Sequence, residues 1–161
     1  MNTWTKLAIF LVPALAATWF VLWRFSPEQK VLRHAALIFA CAERGTLSPG
    51  SAREKAERLQ ATVAAELEIR APHPVPSGVM SSSQAGRVLI EFQNGILSCR
   101  ISRENEKVEF LEPEKAVYLA TVSADATQGP GRTYHMRYRC RIEFRRSGRD
   151  WLAELIELEA F

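Results

Sequence analysis

Hydrophobic and polar positions alternate most regularly between Tyr134 and Phe144. Tyr134, Met136, Tyr138, Cys140, Ile142 and Phe144 occupy one set of positions, and His135, Arg137, Arg139, Arg141 and Glu143 the other. A period of two over this length predicts a long central β-strand with one face buried and one facing water or a partner. A helix would scatter the arginines around its circumference. The following R-R-S-G-R-D-W predicts a hairpin turning at Ser147-Gly148, which opposes Phe144 to Trp151, Ile142 to Ala153 and Cys140 to Leu155. Upstream, Gln128-Gly129-Pro130-Gly131 predicts a turn after a strand over Lys115–Thr127. Ile96–Ser102 and Lys107–Leu111 also alternate, and the polar Arg103–Glu106 between them reads as a turn.

The earlier part of the chain has the helical period. Ser26-Pro27-Glu28-Gln29 is a capping box, followed by an apolar stripe at Val31, Ala35, Ile38, Phe39 and Ala42 and a stop at Gly45. A second box, Ser51 to Glu54, opens a helix with Ala52, Ala56, Leu59, Val63 and Leu67 on one face. Glu66–Arg70 is an alternative short strand. The three prolines of Ala71–Gly78 exclude regular structure there. Ser81-Ser82-Ser83 caps a third helix running from Gln84 to about Gln93, which Asn94-Gly95 ends.

Before these elements lies Leu7–Trp23, a run without charges between Lys6 and Arg24. As a helix it would span about 25 Å, at the short end of a membrane crossing, with Trp4, Trp19 and Trp23 at the interfaces. The expectation is therefore an uncleaved membrane anchor over residues 1–25, contacting the bilayer through residues 7–23. A signal peptide cut after Ala14-Leu15-Ala16 is the rival reading; it would leave an apolar tail on the mature chain. The resulting localisation is a single-pass protein of the cell membrane. Lysine and arginine counts favour an inside domain, a short tail before one anchor favours export, and the balance leans to the extracytoplasmic side.

The chain has 161 residues and a formal charge of +3. With Lys6 and Arg24 set aside the remainder is close to neutral, so charge gives no case for nucleic acid. Cys41, Cys99 and Cys140 have no C-x-x-C spacing and read as small buried hydrophobes. His34, His73 and His135 are too scattered to imply a metal, and no glycine-rich phosphate loop supports a nucleotide cofactor.

Two helices, a short strand, a third helix and a run of antiparallel strands closing on R-R-S-G-R-D-W-L-A-E-L-I resemble the nuclear transport factor 2-like superfamily. The resemblance covers residues 26–161. It implies an α+β, cone-shaped domain of three helices packed on a curved, mostly antiparallel sheet, following the transmembrane helix. That fold hosts enzymes, transport factors and assembly modules alike, so it carries no activity with it. Membrane-anchored chains of this layout include scaffold subunits that dimerise through the sheet.

Two functions remain in play. The first is a non-catalytic interaction or scaffold module, a homo-oligomer or one that binds another protein. Its contact surface would be Arg137, Arg139 and Arg141, beside Ile156 and Leu158, because arginine next to apolar groups is typical of interfaces. The bland reading of the same stripe is a solvated sheet face neutralised by Asp150 and Glu154. The second function is a small-molecule-binding or isomerase-like domain, with Tyr118, Asp125, Tyr134 and Tyr138 converging in a pocket inside the cone. His34 and His135 are of matching residue type, but their spacing does not force convergence, and no residue is assigned a catalytic role.

Overall fold

The chain divides into two units, Met1–Lys30 and Val31–Phe161. The computed structural model describes residues 3–46 and 48–161, with side chains from Val12 onward. In the first unit, α1 runs Thr3–Arg24 and contains Pro13. Val12, Leu15, Trp19, Phe20, Leu22 and Trp23 all stand more than half exposed along it.

The membrane-spanning expectation is corrected here. Among the described residues, no helix is long and apolar enough to cross a membrane. The apolar stretch with described side chains, Val12–Trp23, covers about 18 Å against roughly 30 Å of hydrocarbon. Trp4 and Lys6 to Leu11, on which that expectation also drew, lie outside the residues whose side chains are described. The transmembrane part of the expected fold and the single-pass localisation are withdrawn together.

After α1 come α2 (Pro27–Ala42), α3 (Ala52–Thr62), β1 (Val63–Arg70), β2 (Gly78–Ser81), α4 (Ser82–Gly95), β3 (Ser98–Glu112), β4 (Lys115–Gly129), β5 (Arg132–Ser147) and β6 (Asp150–Ala160). The strands form one sheet in the order β2-β1-β6-β5-β4-β3. Among the described residues, only β1 and β6 pair in parallel. Helices α3 and α4 start where the sequence places their caps. Ser51 and Ser81 each accept from the third helical backbone N–H, and Glu54 and Gln84 return the bond.

One face of the sheet packs against α2–α4. Val31, Ala35, Ile38 and Phe39 of α2, Ala56 and Leu59 of α3, and Ala85 and Leu89 of α4 share a core with Tyr118, Ile142, Phe144 and Trp151 of the strands. We call this the inner face. Burying a large apolar side chain of this kind contributes about 1.5–3 kcal/mol. The end of α2 is locked by polar groups from its neighbours. The Gln93 amide donates to the carbonyls of Cys41, Ala42 and Glu43, and buried Lys55 donates to Glu43 O at 2.5 Å. Arg44 in turn donates to the carbonyls of Gln93 and Ile96. Helix ends leave carbonyls without intrahelical partners, and cations are favourable there, so this knot ties three helices at one point.

Three local expectations differ from the structure. First, Arg103–Glu106 is not a turn, because β3 runs through it as an edge strand. Between the pairs Glu104↔Thr121 and Lys107↔Leu119 two residues oppose one, a bulge in which Asn105 takes φ 56°. Charges are expected on an edge strand, where they discourage pairing with other chains. Second, Gly78–Ser81 forms strand β2 where no strand was expected. Third, the last hairpin has another register. Gly148 (φ 62°) and Arg149 make the turn, Ser147 pairs with Asp150, and Phe144 with Ala153. A further shift between Glu143↔Leu155 and Phe144↔Ala153 leaves Glu154 extra, so the faces exchange beyond it.

Candidate functional site

The face of the sheet away from the core is built from the other half of each strand's alternation. Backbone pairing aligns its side chains in rows across neighbouring strands. One row runs Glu109, Val117, Glu143, Leu155, Glu68; the next runs Lys107, Leu119, Arg141, Glu157, Arg70. A third holds Glu104, Thr121, Arg139 and Glu159, and a fourth Ser102, Ser123 and Arg137. The fifth aligns Arg100, Asp125 and His135. Neighbours in a row stand about 5 Å apart, within side-chain reach.

The expected arginine stripe is therefore real as geometry, but it is interleaved with glutamates. Arg141 lies 2.7 Å from Glu143 and 3.7 Å from Glu157; Arg139 lies 3.6 Å from Glu159, and Arg137 3.5 Å from Glu104. The guanidinium groups of Arg137 and Arg139 each sit 5.1 Å from the centre of the Phe161 ring. Glu154, hydrogen-bonded to Arg145 at 2.5 Å, raises that guanidinium's affinity for its proton. The counter-charges are Glu104, Glu143, Glu157 and Glu159 around the stripe and Glu154 at its end. Asp150 instead pairs with Ser147 at the hairpin.

Ile156 and Leu158 are not on this face. Ile156 pairs with Ile142 and Leu158 with Cys140, and both pack against the inner core. The extra residue at Glu154 puts them there and moves Leu155 into the outer-face row beside Glu143, where it is nonetheless buried.

The four pocket candidates are divided between the two faces. Tyr118 and Tyr138 are buried on the inner face, whereas Asp125 is on the outer face, where its Oδ1 lies 2.6 Å from His135 Nδ1. Tyr134, half exposed, donates to Gln128. His34 is half-buried on α2 and His73 lies in the 71–77 loop. An aspartate and a tyrosine on opposite sides of one sheet cannot act on a common atom.

Sequence reasoning missed one inner-face cluster. Tyr118 donates to Glu106 at 2.7 Å, Arg103 lies 3.2 Å from the same carboxylate, and the Arg103 guanidinium is 5.7 Å from the Phe39 ring centre. Burial first, and then the bond to Glu106, raise the Tyr118 pKa. The bulge at Asn105 is what turns Glu106 toward Tyr118. Its trace in the sequence is a change of parity, from inward Cys99 and Ile101 to inward Val108 and Phe110. The three thiols are buried and free, and desolvation pushes Cys99 up to about 11 and Cys140 up to about 12. A thiol held protonated is a poor nucleophile.

No family model matches the sequence, and no curated protein matches it. Solved structures do. The chain superimposes on a hexachlorocyclohexane dehydrochlorinase (LinA, type 2) with a TM-score of 0.66 at 10% identity, covering 82% of this chain and 83% of that one. For the association domain of CaMKII from C. elegans the values are 0.61 and 8%, with 82% and 94% covered. For an NTF2-like protein of unknown function in nutrient uptake from Rhodospirillum rubrum they are 0.60 and 13%, with 81% and 98% covered. Identities this low speak for the fold alone. Helices on one face of a sheet ordered β2-β1-β6-β5-β4-β3 make this the nuclear transport factor 2-like fold.

Proposed function

We propose that this protein is a non-catalytic interaction module that self-associates through the outer face of its sheet. The observation that carries the reading is the asymmetry of the sheet: α2–α4 pack on the inner face, and the long strands β3–β6 present the other. That outer face offers three arginines with counter-charges beside them, a mixture suited to a protein surface of the same kind. A polyanion would meet Glu104, Glu157 and Glu159 as well as the arginines. One structural neighbour, from C. elegans, is by name an association domain. The contact set is Arg137, Arg139 and Arg141 with those glutamates, in place of Ile156 and Leu158.

The pocket reading has less behind it. Its aspartate and its buried tyrosines lie on opposite faces, and the inner face is filled by Trp151, Tyr118, Phe144 and Ile142.

Sedimentation of the purified full chain tests the proposal. The wild type is expected to form a dimer or larger assembly. The R139E/R141E variant is expected to sediment as a monomer with an unchanged circular dichroism spectrum. A monomeric wild type, or a variant that assembles as the wild type does, would remove the reading.

A further inference from the structure

The charges on the outer face are sorted by strand as well as by row, and this sorting constrains how two copies can meet. On β5 the three central outward positions are Arg137, Arg139 and Arg141. On β6, directly beside them, the outward positions are Glu157 and Glu159. On β4 they are Leu119, Thr121 and Ser123, without charge. A basic column and an acidic column therefore run side by side. The boundary between β5 and β6 is also the midline of the sheet, with β2, β1 and β6 on one side and β5, β4 and β3 on the other.

We infer that the second copy docks face to face about a twofold axis that runs along the strands between β5 and β6. This rests on the self-association proposed above and specifies its geometry. Two identical faces meeting through a twofold in the interface have two simple choices. An axis across the strands lays each strand on its own copy, so the arginine column of β5 meets an arginine column and the glutamates of β6 meet glutamates. Like charges placed opposite each other in an interface are strongly unfavourable. An axis along the strands at the midline exchanges β5 with β6 and keeps the rows in line. Arg141 then faces Glu157 of the other copy and Arg139 faces Glu159.

The same operation lays β4 on β1, so that Leu119 meets the stem of Arg70, while Val117, in line with Glu68, is already buried within its own copy. Within one copy the Arg139–Glu159 and Arg141–Glu157 contacts are long, at 3.6 and 3.7 Å. Tight charge-assisted bonds are about 2.7–2.9 Å. Arg139 thus has room for a second carboxylate; Arg141, whose tight partner is Glu143 at 2.7 Å, holds Glu157 only loosely, and the two pairs of each row close across the axis into an alternating ring of four charges.

The test exchanges the columns in the full chain. R139E/R141E makes both columns acidic and E157R/E159R makes both basic. Each is expected to weaken its own dimer by roughly a hundredfold or more, while an equimolar mixture forms a one-to-one heterodimer. The fourfold exchange, R139E/R141E/E157R/E159R, reverses but keeps the 139–159 and 141–157 pairs, gives up the Arg141–Glu143 and Arg70–Glu157 contacts, and is expected to dimerise as the wild type does; it serves where a double variant fails to fold. A short bifunctional thiol cross-linker identifies the axis. It is expected to join an Arg139→Cys copy to a Glu159→Cys copy, and not two Arg139→Cys copies to each other. Homotypic cross-linking of Arg139→Cys, or a dimer that ignores both double exchanges, would overturn the axis while leaving self-association standing. A monomeric wild type would end both.

Discussion

The two faces of β5 are made from alternate residues of one strand, yet they are built to different ends. Inward, Cys140, Ile142 and Phe144 are nearly inaccessible and join a core that draws on all three packed helices. Outward, Arg137, Arg139 and Arg141 touch charged neighbours and the Phe161 ring. Apolar burial on the inner face is worth kilocalories per residue, whereas an exposed ion pair contributes about 0–1 kcal/mol. The charged positions of the outer face, rich in contacts, therefore add little to folding, in contrast to its two buried apolar side chains, Val117 and Leu155. A surface so ordered and so weakly stabilising is free to serve recognition.

The largest effect that could sharpen this contrast is at Trp151. It is buried on the inner face, with its ring 5.8 Å from that of Phe110 in an edge-on arrangement. Trp151→Ala removes the largest of the fully buried side chains and is expected to cost about 3–5 kcal/mol. Chemical denaturation measures it directly. A loss below about 1 kcal/mol would mean that the inner face is not the source of stability.

Much of this organisation is legible in the sequence because it follows from period and caps. The capping boxes at Ser51 and Ser81 place two helices, and the alternation of Tyr134–Phe144 assigns that stretch of β5 to the correct faces. What is lost is lost at one-residue irregularities. The bulge at Asn105 looks like a turn because its neighbours are charged, as edge-strand residues often are. The extra residue at Glu154 shifts Ile156 and Leu158 by one, and a period of two turns that shift into a change of face. The interface expectation therefore kept its arginines, which precede the irregularity, and lost its two aliphatics, which follow it. The expected membrane helix failed differently. An uncharged run is only a statement of composition, and among the described residues no helix has the apolar length that a crossing needs.

An effect of intermediate size follows from the buried thiols. Desolvation raises Cys140 to about 12 and Cys99 to about 11, both above the value of 9.0 for an ordinary thiol. In the unfolded chain these groups lose their protons first, so the folded state holds more protons above pH 9. Their stabilising effect is complete below the unfolded pKa and declines as pH rises toward 11 and 12. Stability is expected to be insensitive to these thiols at pH 8 and to fall above about pH 9, by up to about 1.4 kcal/mol per pH unit for each thiol. Cys140→Ala should flatten the alkaline slope even though it lowers stability at neutral pH. An unchanged slope in that variant would show that Cys140 is not shielded on the inner face.

The smallest stability effect is expected where the association effect is expected to be large. Arg141→Gln removes a charge that lies 2.7 Å from Glu143 and 3.7 Å from Glu157, with its side chain 39% exposed. Solvent screens such pairs, so the loss of folding stability should stay below about 1 kcal/mol, a shift of a few degrees in Tm. Because the twofold applies it twice, the same substitution deletes two of the four charges in the ring formed by residues 141 and 157 of the two copies and leaves the ring of 139 and 159 intact. Sedimentation should therefore register a weaker dimer while the melting curve barely moves. If the melting temperature fell sharply and assembly did not change, the outer face would belong to folding after all, and the division of labour between the two faces of β5 would have to be abandoned.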